Sequence, residues 1–402
     1  MIAAAHVSRS LSRLTLRARG SLPSGFNRNY KKQNTRAAPQ IGVCCFLRSP
    51  IAVQYYSSTS KPSTMPSPNA KPKSKPAIPS PSSSVILVSP NNEILLLHRV
   101  KTSTSFASAH VFPGGNLDAQ DGPCPPPEDQ KRHEDAPWYR TAALRELFEE
   151  SGILLARDQS TGKLLAVPEQ EREQGRRAIH QGKITFGDWL KQISPTAVPD
   201  TDRLIPFSRW ITPTNVPKRY TTQMYLYFLQ PQESEKPVLD EIPAEGEREE
   251  IQIPTSDGGV EITEARFLPA SEWLRQSNRG EIILFPPQFL LLHLVSRFLD
   301  LEPRASASMD ERWRRRAALT DFVHSGSPPW TTKCISPKVL KMTSDGRSVL
   351  ALDNPGPELK GSNRRGESDL VVLVEFKKGS VRHVDVRARK EILEEERKKS
   401  NL

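Results

Sequence analysis

The stretch ALRELFEESGILL, residues 143–155, predicts the helix on which the rest of the fold is built. Its less polar side chains recur at the i, i+3, i+4, i+7 spacing of one helical face, so we expect this side to pack inward. The residues on that side are Leu144, Leu147, Phe148 and Ser151.

Both ends of this helix are marked, which places it at about residues 136–151. Asp135 can cap the amino end, Pro137 suits the first turn, and Gly152 stands just past the carboxyl end. We therefore expect a well-defined helix with one buried side and one charged side.

The charged side gathers three carboxylates. Glu146, Glu149 and Glu150 stand at i, i+3 and i+4, a spacing at which like charges repel one another. Hard divalent cations prefer oxygen ligands of this kind and would compensate the repulsion. Arg145, four residues before Glu149, is expected to pair with it and orient it. A solvated charged face is the commoner explanation of an isolated RELFEE motif.

A second element, VFPGGNLDAQD at residues 111–121, favours a metal site over a solvated face. Its Gly-Gly turn lets the backbone approach closely, and the free carbonyl of Gly115 is a further candidate metal ligand. A spacer rich in Pro, Asp and Glu, residues 122–144, separates this element from the charged side of the helix. Because long surface insertions add little closure entropy, the two halves can still meet.

Together the two elements resemble the box of the Nudix hydrolase family, G-x5-E-x7-R-E-U-x-E-E-x-G-U, with U aliphatic. The spacer holds 23 residues instead of seven, an insertion of sixteen in the loop before the helix. The matching residues are Gly115, Asp121 in place of the Glu, and Arg145-Glu146-Leu147-Phe148-Glu149-Glu150-Ser151-Gly152-Ile153.

The split box is similar to that of one branch of the family, the nucleoside diphosphate-linked moiety X motif 19 type, which cleaves CoA and acyl-CoA. The stretches SRWITPTNVPKRYTTQMYLYFL (208–229) and ILFPPQFLLL (283–292) extend the similarity over about residues 84–295. The resemblance implies an α/β fold, a Nudix α/β/α sandwich with a mixed sheet, carrying an insertion within the box and a C-terminal extension.

The resemblance also implies a catalytic set. Glu146, Glu149 and Glu150, with Gly115, would hold Mg²⁺ or Mn²⁺ against a diphosphate, and Arg145 would complete the catalytic residues. Such a site predicts a small-molecule nucleoside diphosphate derivative as the ligand.

The general base and the substrate contacts are left open by the sequence. The candidates for the base are Glu241, Glu261 and Glu264, and spacing does not choose among them. Arg99 and Arg219 are candidate contacts for a diphosphate or a 3′-phosphate, because a guanidinium offers forked donors. Ordinary arginines at strand ends are an equal explanation of both.

The leading hypothesis is a metal-dependent diphosphatase, a hydrolase acting on acid anhydrides in phosphorus-containing compounds. It would split CoA or acyl-CoA into 3′,5′-ADP and 4′-phosphopantetheine or its acyl form. The alternatives are the same chemistry on NADH, ADP-ribose or capped RNA, and a binding protein of the same fold without turnover. Glu146, Glu149 and Glu150 are all present, which disfavours the binding protein.

The net charge of +11 belongs to the first part of the chain. Residues 1–75 hold thirteen Lys and Arg and no Asp or Glu, so the remainder is close to −2. This distribution disfavours a basic nucleic-acid groove, and no DNA partner is expected. The sequence does not indicate protein partners.

The basic first part predicts an address and a domain order. Residues 1–60 have the Arg- and Ser-rich, acid-free composition of a mitochondrial transit peptide, with a disordered basic tail as the alternative. A Pro/Ser/Lys-rich linker over 61–83 follows. The Nudix domain is expected over 84–300 and an accessory extension over 301–402.

These features predict a protein of the mitochondrial matrix. A peroxisomal form starting at Met65 is the alternative, although the final KKSNL departs from the Ser-Lys-Leu signal. No run of about 18 apolar residues occurs, so no transmembrane segment is expected. The cysteines show no spacing typical of a metal site.

Overall fold

The computed structural model describes residues 75–102, 107–230, 252, 254–255, 257, 261–300, 308–377 and 380–400. The predicted leader and residues 61–74 of the predicted linker lie outside these ranges. The first strand begins at Ser80, so it includes the last four residues of the range predicted as linker. Most of the acidic segment 232–263 also lies outside the described residues.

Runs of strands and runs of helices succeed one another along the described chain. The strands are β1 (Ser80–Val88), β2 (Ile94–Arg99), β3 (His110–Val111), β4 (Gly114–Asn116), β5 (Ala156–Asp158), β6 (Ala197–Pro199), β7 (Ile205–Ile211), β8 (Tyr220–Phe228), β9 (Ile262–Leu268), β10 (Cys334–Ile335), β11 (Lys338–Met342), β12 (Ser348–Leu352), β13 (Glu367–Lys377) and β14 (Ser380–Ala388). The α-helices are α1 (Pro137–Ser151), α2 (Glu169–His180), α3 (Phe186–Ile193), α4 (Ala270–Asn278), α5 (Pro286–Leu299), α6 (Met309–His324) and α7 (Arg389–Ser400).

The central sheet is mixed, as predicted. Its strand order is β10-β7-β8-β1-β2-β3, with β4 also paired to β1 and β9 to β2. The pairs β1–β8 and β10–β7 are parallel, and the other pairs in this sheet are antiparallel. The β4 pairing places the Gly-Gly turn directly on β1, in the middle of the sheet.

Strand β1 shows how the sheet is covered on both faces. Val85 and Leu87 join the apolar cluster that α1 buries, whereas Ile86 and Val88 join the cluster that contains α4 and α5. Alternate residues of a strand point to opposite faces, so a continuous apolar run is suited to a sheet covered on both sides. The predicted α/β/α sandwich is therefore confirmed.

Helix α1 has the predicted buried side, and Gly152 ends it in the left-handed conformation, with φ of 73°. Only glycine takes this conformation without strain, which fits its place after the last turn. The expected cap is wrong. The N-cap is Ala136, without a side-chain hydrogen bond, because the carboxylate of Asp135 accepts from Arg140 and from the hydroxyl of Tyr225 instead.

The C-terminal extension continues the layers of the sandwich. Strands β11 to β14 form a second, antiparallel sheet, and β13 and β14 contribute valines to the cluster around α5. The other face of this sheet packs on Ile392 of α7. Strand β10 joins the central sheet itself. The extension thus shares the core of the domain that precedes it.

None of the helices in the described ranges combines the length and apolar character that a membrane crossing requires.

Candidate active site

The carboxylate of Glu150 reaches from the last turn of α1 to the Gly-Gly turn. Its Oε2 accepts a hydrogen bond from the backbone N–H of Gly114 at 2.8 Å, and its Oε1 lies 3.2 Å from Nη1 of Arg99. The side chain is only 8% exposed. The two halves predicted from the sequence therefore touch across the spacer.

A second contact between the two halves explains why residues 114 and 115 are both glycine. A methyl group on Gly115 would lie 2.5 Å from the carboxylate carbon of Glu146, and one on Gly114 would lie 2.2 Å from the carbonyl oxygen of Ser83. Any side chain at Gly115 would displace the Glu146 carboxylate, and one at Gly114 would strike the backbone of β1. The turn is a cradle that only glycine can form.

Arg145 holds the remaining charged groups together. Its Nε and Nη2 donate to the two oxygens of Asp121 at 2.8 and 2.9 Å, and Nη2 also donates to the carbonyl of Asn116. Its Nη1 donates to Glu146 at 2.9 Å and to Glu149 at 3.0 Å. The predicted pairing with Glu149 is present. The guanidinium also donates to four other oxygen atoms, two of Asp121, one of Asn116 and one of Glu146.

The electrostatics of this cluster are those of crowded, desolvated acids. Burial raises the pKa of Glu146, and Glu149 adds to the rise while Arg145 opposes it. Burial likewise raises the pKa of Glu150, and the neighbouring Glu146 raises it further. A positive charge placed between the two carboxylates would reverse both effects.

The residues present fit a divalent metal. Glu146 and Glu150 offer hard oxygen ligands in a largely buried, mutually repelling pair, and the cradle brings the backbone of Gly115 against the Glu146 carboxylate. Within the described residues, no three carboxylate, imidazole or thiol groups already stand in a metal-binding arrangement. Glu149 is instead bonded to Arg145.

A family model of the NUDT19 Nudix domain matches residues 127–295, from within the spacer to within α5. The resemblance drawn from the split box is thereby confirmed, since these residues are similar to a Nudix domain.

The chain is also similar to curated proteins whose names include Nudix hydrolase or NUDT19. The chain is 28% identical over 221 residues to the putative Nudix hydrolase 7 of Caenorhabditis elegans, covering 55% of this chain and 61% of that one. It is 27% identical over 278 residues to the acyl-coenzyme A diphosphatase NUDT19 of Gallus gallus, covering 55% and 67%. The Xenopus laevis protein of that name is 24% identical over 250 residues, covering 51% and 60%. The chain thus spans about 60–67% of the length of these relatives.

Among solved structures, a Nudix hydrolase from Alicyclobacillus acidocaldarius superposes with a TM-score of 0.42 at 23% identity, covering 58% of this chain and 96% of that chain.

The two arginines proposed as substrate contacts separate in the structure. Arg99 lies at the Nudix site, bonded to Glu150 and to Glu261. Arg219 does not contact the box. It is buried, donates to the carbonyls of Ala77 and Thr212, and forms an ion pair of 2.6 Å with Glu358 of the extension. Its contacts hold β8 to the extension, so the structure gives it a packing role.

The candidate bases separate as well. Glu261 is half exposed and lies 2.7 Å from Arg99, which connects it to Glu150. Glu264 is exposed and pairs with Arg266 two residues along β9. Glu241 lies outside the described residues. Of the two that the structure describes, Glu261 is the one at the site.

The spacer packs as part of the fold. His133 is buried and bonded to Thr221 of β8 at 2.9 Å, and the amide of Gln130 donates to the carbonyl of Lys360 in the extension. Asp121, just before the spacer, is bonded to Arg145, just after it. The sixteen extra residues are therefore anchored at both ends and in the middle.

Arg176 of α2 is a site residue that the sequence did not single out. Its buried Nε donates to the carbonyl of Glu149 at 2.7 Å, and its Nη1 donates to Thr255 and to Glu173. The bond to Glu149 satisfies a free carbonyl in the last turn of the Nudix helix. A helical arginine among acidic neighbours carries no sign of this contact in the sequence.

Proposed function

We propose that this Nudix domain is a Mg²⁺- or Mn²⁺-dependent diphosphatase of CoA and acyl-CoA. It would release 3′,5′-ADP and 4′-phosphopantetheine or its acyl form. The observation that carries the chemistry is the largely buried pair Glu146 and Glu150 against the Gly-Gly cradle. The choice of substrate is supported by the NUDT19 family model and by the two relatives named acyl-coenzyme A diphosphatases.

The residues of the site divide the work. A bound divalent ion supplies neutralisation of phosphate charge and acidification of the attacking water. Glu146 and Glu150 would hold it, with Glu149 and the Gly115 carbonyl as further ligands. Arg145 keeps Glu146 and Glu149 oriented, and Asp121 holds the guanidinium of Arg145 in place.

Glu261 is the proposed general base and Arg99 its positioning residue. Arg99 bonds Glu261 and Glu150 at once, which keeps the exposed carboxylate within reach of the buried cluster. Half exposure lets Glu261 pass a proton to solvent after the reaction. The variant Glu261→Gln is expected to lower kcat strongly with little change in KM. Glu264→Gln, three residues further along the chain, is the matched control.

The assay incubates the full chain with Mg²⁺ or Mn²⁺ and CoA, acyl-CoAs, NADH, ADP-ribose or capped RNA, and identifies the products by mass spectrometry. Release of 3′,5′-ADP from CoA compounds is expected, with loss of turnover in Glu149→Gln and Glu150→Gln. The partly exposed Glu272, outside the Nudix box, offers the control substitution Glu272→Gln. Cleavage of NADH, ADP-ribose or RNA alone would refute the substrate, and tight binding without cleavage would refute the enzyme.

We also propose delivery to the mitochondrial matrix, from the composition of residues 1–60, with a peroxisomal form initiated at Met65 as the alternative. Imaging of internally tagged full-length and Met65-start chains, each with a free carboxyl terminus, distinguishes them. Mitochondrial staining of both forms would refute the peroxisomal form. A diffuse full-length chain would refute the matrix.

A further inference from the structure

A cavity of about 270 Å³ lies between the spacer and the C-terminal extension, and no residue of the Nudix box lines it. His133 of the spacer, Arg209 of β7, Gln223 of β8 and Arg364 of the extension contribute to its walls. It is large enough for a small molecule, since one water needs only about 10–15 Å³ of such space.

Arg209 is the unusual residue of this cavity. It is 2% exposed, yet no carboxylate in the described part of the chain pairs with it. Its Nη1 donates to the hydroxyl of Thr221 at 3.3 Å, its guanidinium stacks 4.3 Å from the ring of Tyr139, and its Nη2 has no hydrogen-bond partner among the described residues. A buried charge without a counter-ion is strongly unfavourable unless something compensates it.

The backbone holds Arg209 in this place at some cost. The pairing of β7 with β8 shifts register between Pro206 and Arg209, and Ser208 within this bulge has φ of 94°. Positive φ is strained for a residue with a side chain, and bulges commonly redirect a side chain next to a binding site. The amide of Gln223 donates to the carbonyl of Ser208 at 3.2 Å and fixes the bulge.

The lining also holds two carboxylates and two further cations. Lys333 is paired with Glu367, and Asp135 with Arg140. The partly exposed Arg364 donates to the carbonyl of Thr332 and lies 3.9 Å from the carboxylate of Glu134, the second acid of the lining. The cavity is therefore lined by three cations, Arg209, Lys333 and Arg364, against two carboxylates, Glu134 and Asp135.

We propose that this cavity is a second ligand site, which binds the phosphoryl group of a small phosphate or phosphomonoester. Arg209 is its buried anchor and Arg364 its outer contact. A tetrahedral anion with several free oxygens can engage both guanidinium groups together, whereas a flat carboxylate matches one fork. His133 adds no competing charge near neutral pH, since burial and then Arg209 lower its pKa to about 4.

The test is calorimetric titration of the full chain with inorganic phosphate in EDTA. Without metal, the carboxylates of the Nudix site repel phosphate, so the titration reports the cavity and does not depend on turnover. We expect one phosphate per chain, with acetate binding at least about tenfold more weakly. Arg209→Met should weaken phosphate at least about tenfold and Arg364→Gln less, because hydrogen bonds to ionised groups are among the strong ones. The exposed Arg279 offers Arg279→Gln as the control.

Thermal unfolding separates binding from folding. Arg209→Met removes an uncompensated buried charge, so without phosphate it is expected to melt at or above the wild-type temperature and to gain nothing when phosphate is added. If Arg209→Met does not fold, Arg209→Lys and Arg364→Gln answer the question instead. Equal phosphate binding by wild type and folded variants, or no binding by wild type, would overturn the proposal. Success or failure of the diphosphatase assay bears on neither result.

Discussion

The ion pair that joins the two ends of the spacer gives the sharpest prediction. Asp121 is completely buried and Arg145 is 5% exposed, and two hydrogen bonds of 2.8 and 2.9 Å link them. In Asp121→Asn the shape of the side chain is kept and its charge is lost. Arg145 then has only Glu146 and Glu149 as charged partners.

The expected loss of stability follows from this geometry. Removal of one partner from a buried pair costs about 3–5 kcal/mol, because the other charge is left uncompensated. Asparagine still accepts one hydrogen bond, and Arg145 keeps two carboxylates, so we expect about 2–4 kcal/mol. A domain with a free energy of unfolding of about 5–15 kcal/mol remains folded after such a loss.

The activity should fall for a separate reason. Without its two hydrogen bonds to the Asp121 carboxylate, the guanidinium of Arg145 can bind Glu146 and Glu149 more fully and compete with the metal for these two carboxylates. Loss of a partner that orients metal ligands commonly costs about 10–100-fold in metal affinity or activity. We therefore expect a higher metal concentration at half-maximal activity, by about that factor.

Urea unfolding monitored by circular dichroism gives the free energy of unfolding. Activity measured at increasing metal concentrations gives the metal concentration at half-maximal activity. Glu272→Gln is the matched control, because its pair with Arg275 lies at the surface and should contribute little to stability. If Asp121→Asn lost no more stability than this control, the buried pair would not be what joins the halves of the box.

The remaining predictions concern the cradle and two titrating groups. Gly115→Ala displaces the Glu146 carboxylate and should lower activity at least about tenfold, a loss checked by kinetics against Gly187→Ala, where a methyl group meets nothing within 4 Å. Burial raises the pKa of Glu150 above its unfolded value, so ionising it costs stability as pH rises from about 4.5 towards the folded pKa. In EDTA at pH 8, Glu150→Gln should therefore melt at a higher temperature than wild type, and the two melting temperatures should converge near pH 5. A difference in melting temperature that does not change with pH would contradict this. Burial lowers the pKa of His133 to about 4, so as pH falls below about 6.5 this histidine is protonated in the unfolded chain before it is protonated in the folded one. Between pH 7 and 5 the free energy of unfolding of wild type should fall by about 1–2 kcal/mol, a loss that thermal unfolding should not show for His133→Gln.

Local spacing was enough to predict the Nudix helix, which was expected at about residues 136–151 and is present as α1, Pro137–Ser151. Its signals are helical periodicity and glycine at a helix end, which a short stretch of chain expresses by itself. Helix α6 was missed, since Arg315 and Arg316 interrupt its apolar pattern even though both are buried.

The sequence by itself determined the Nudix helix, its three glutamates and the need for a glycine turn, because each depends on neighbours within one or two turns of chain. Only the tertiary structure decided which distant groups join them. Asp121 faces Arg145 across the spacer, Arg99 connects Glu150 to Glu261, and Arg219 turns to the extension. Arginine and carboxylate patterns look the same whether their partners are water, substrate or one another. Packing of separated segments chooses among these, and spacing along the chain does not encode that choice.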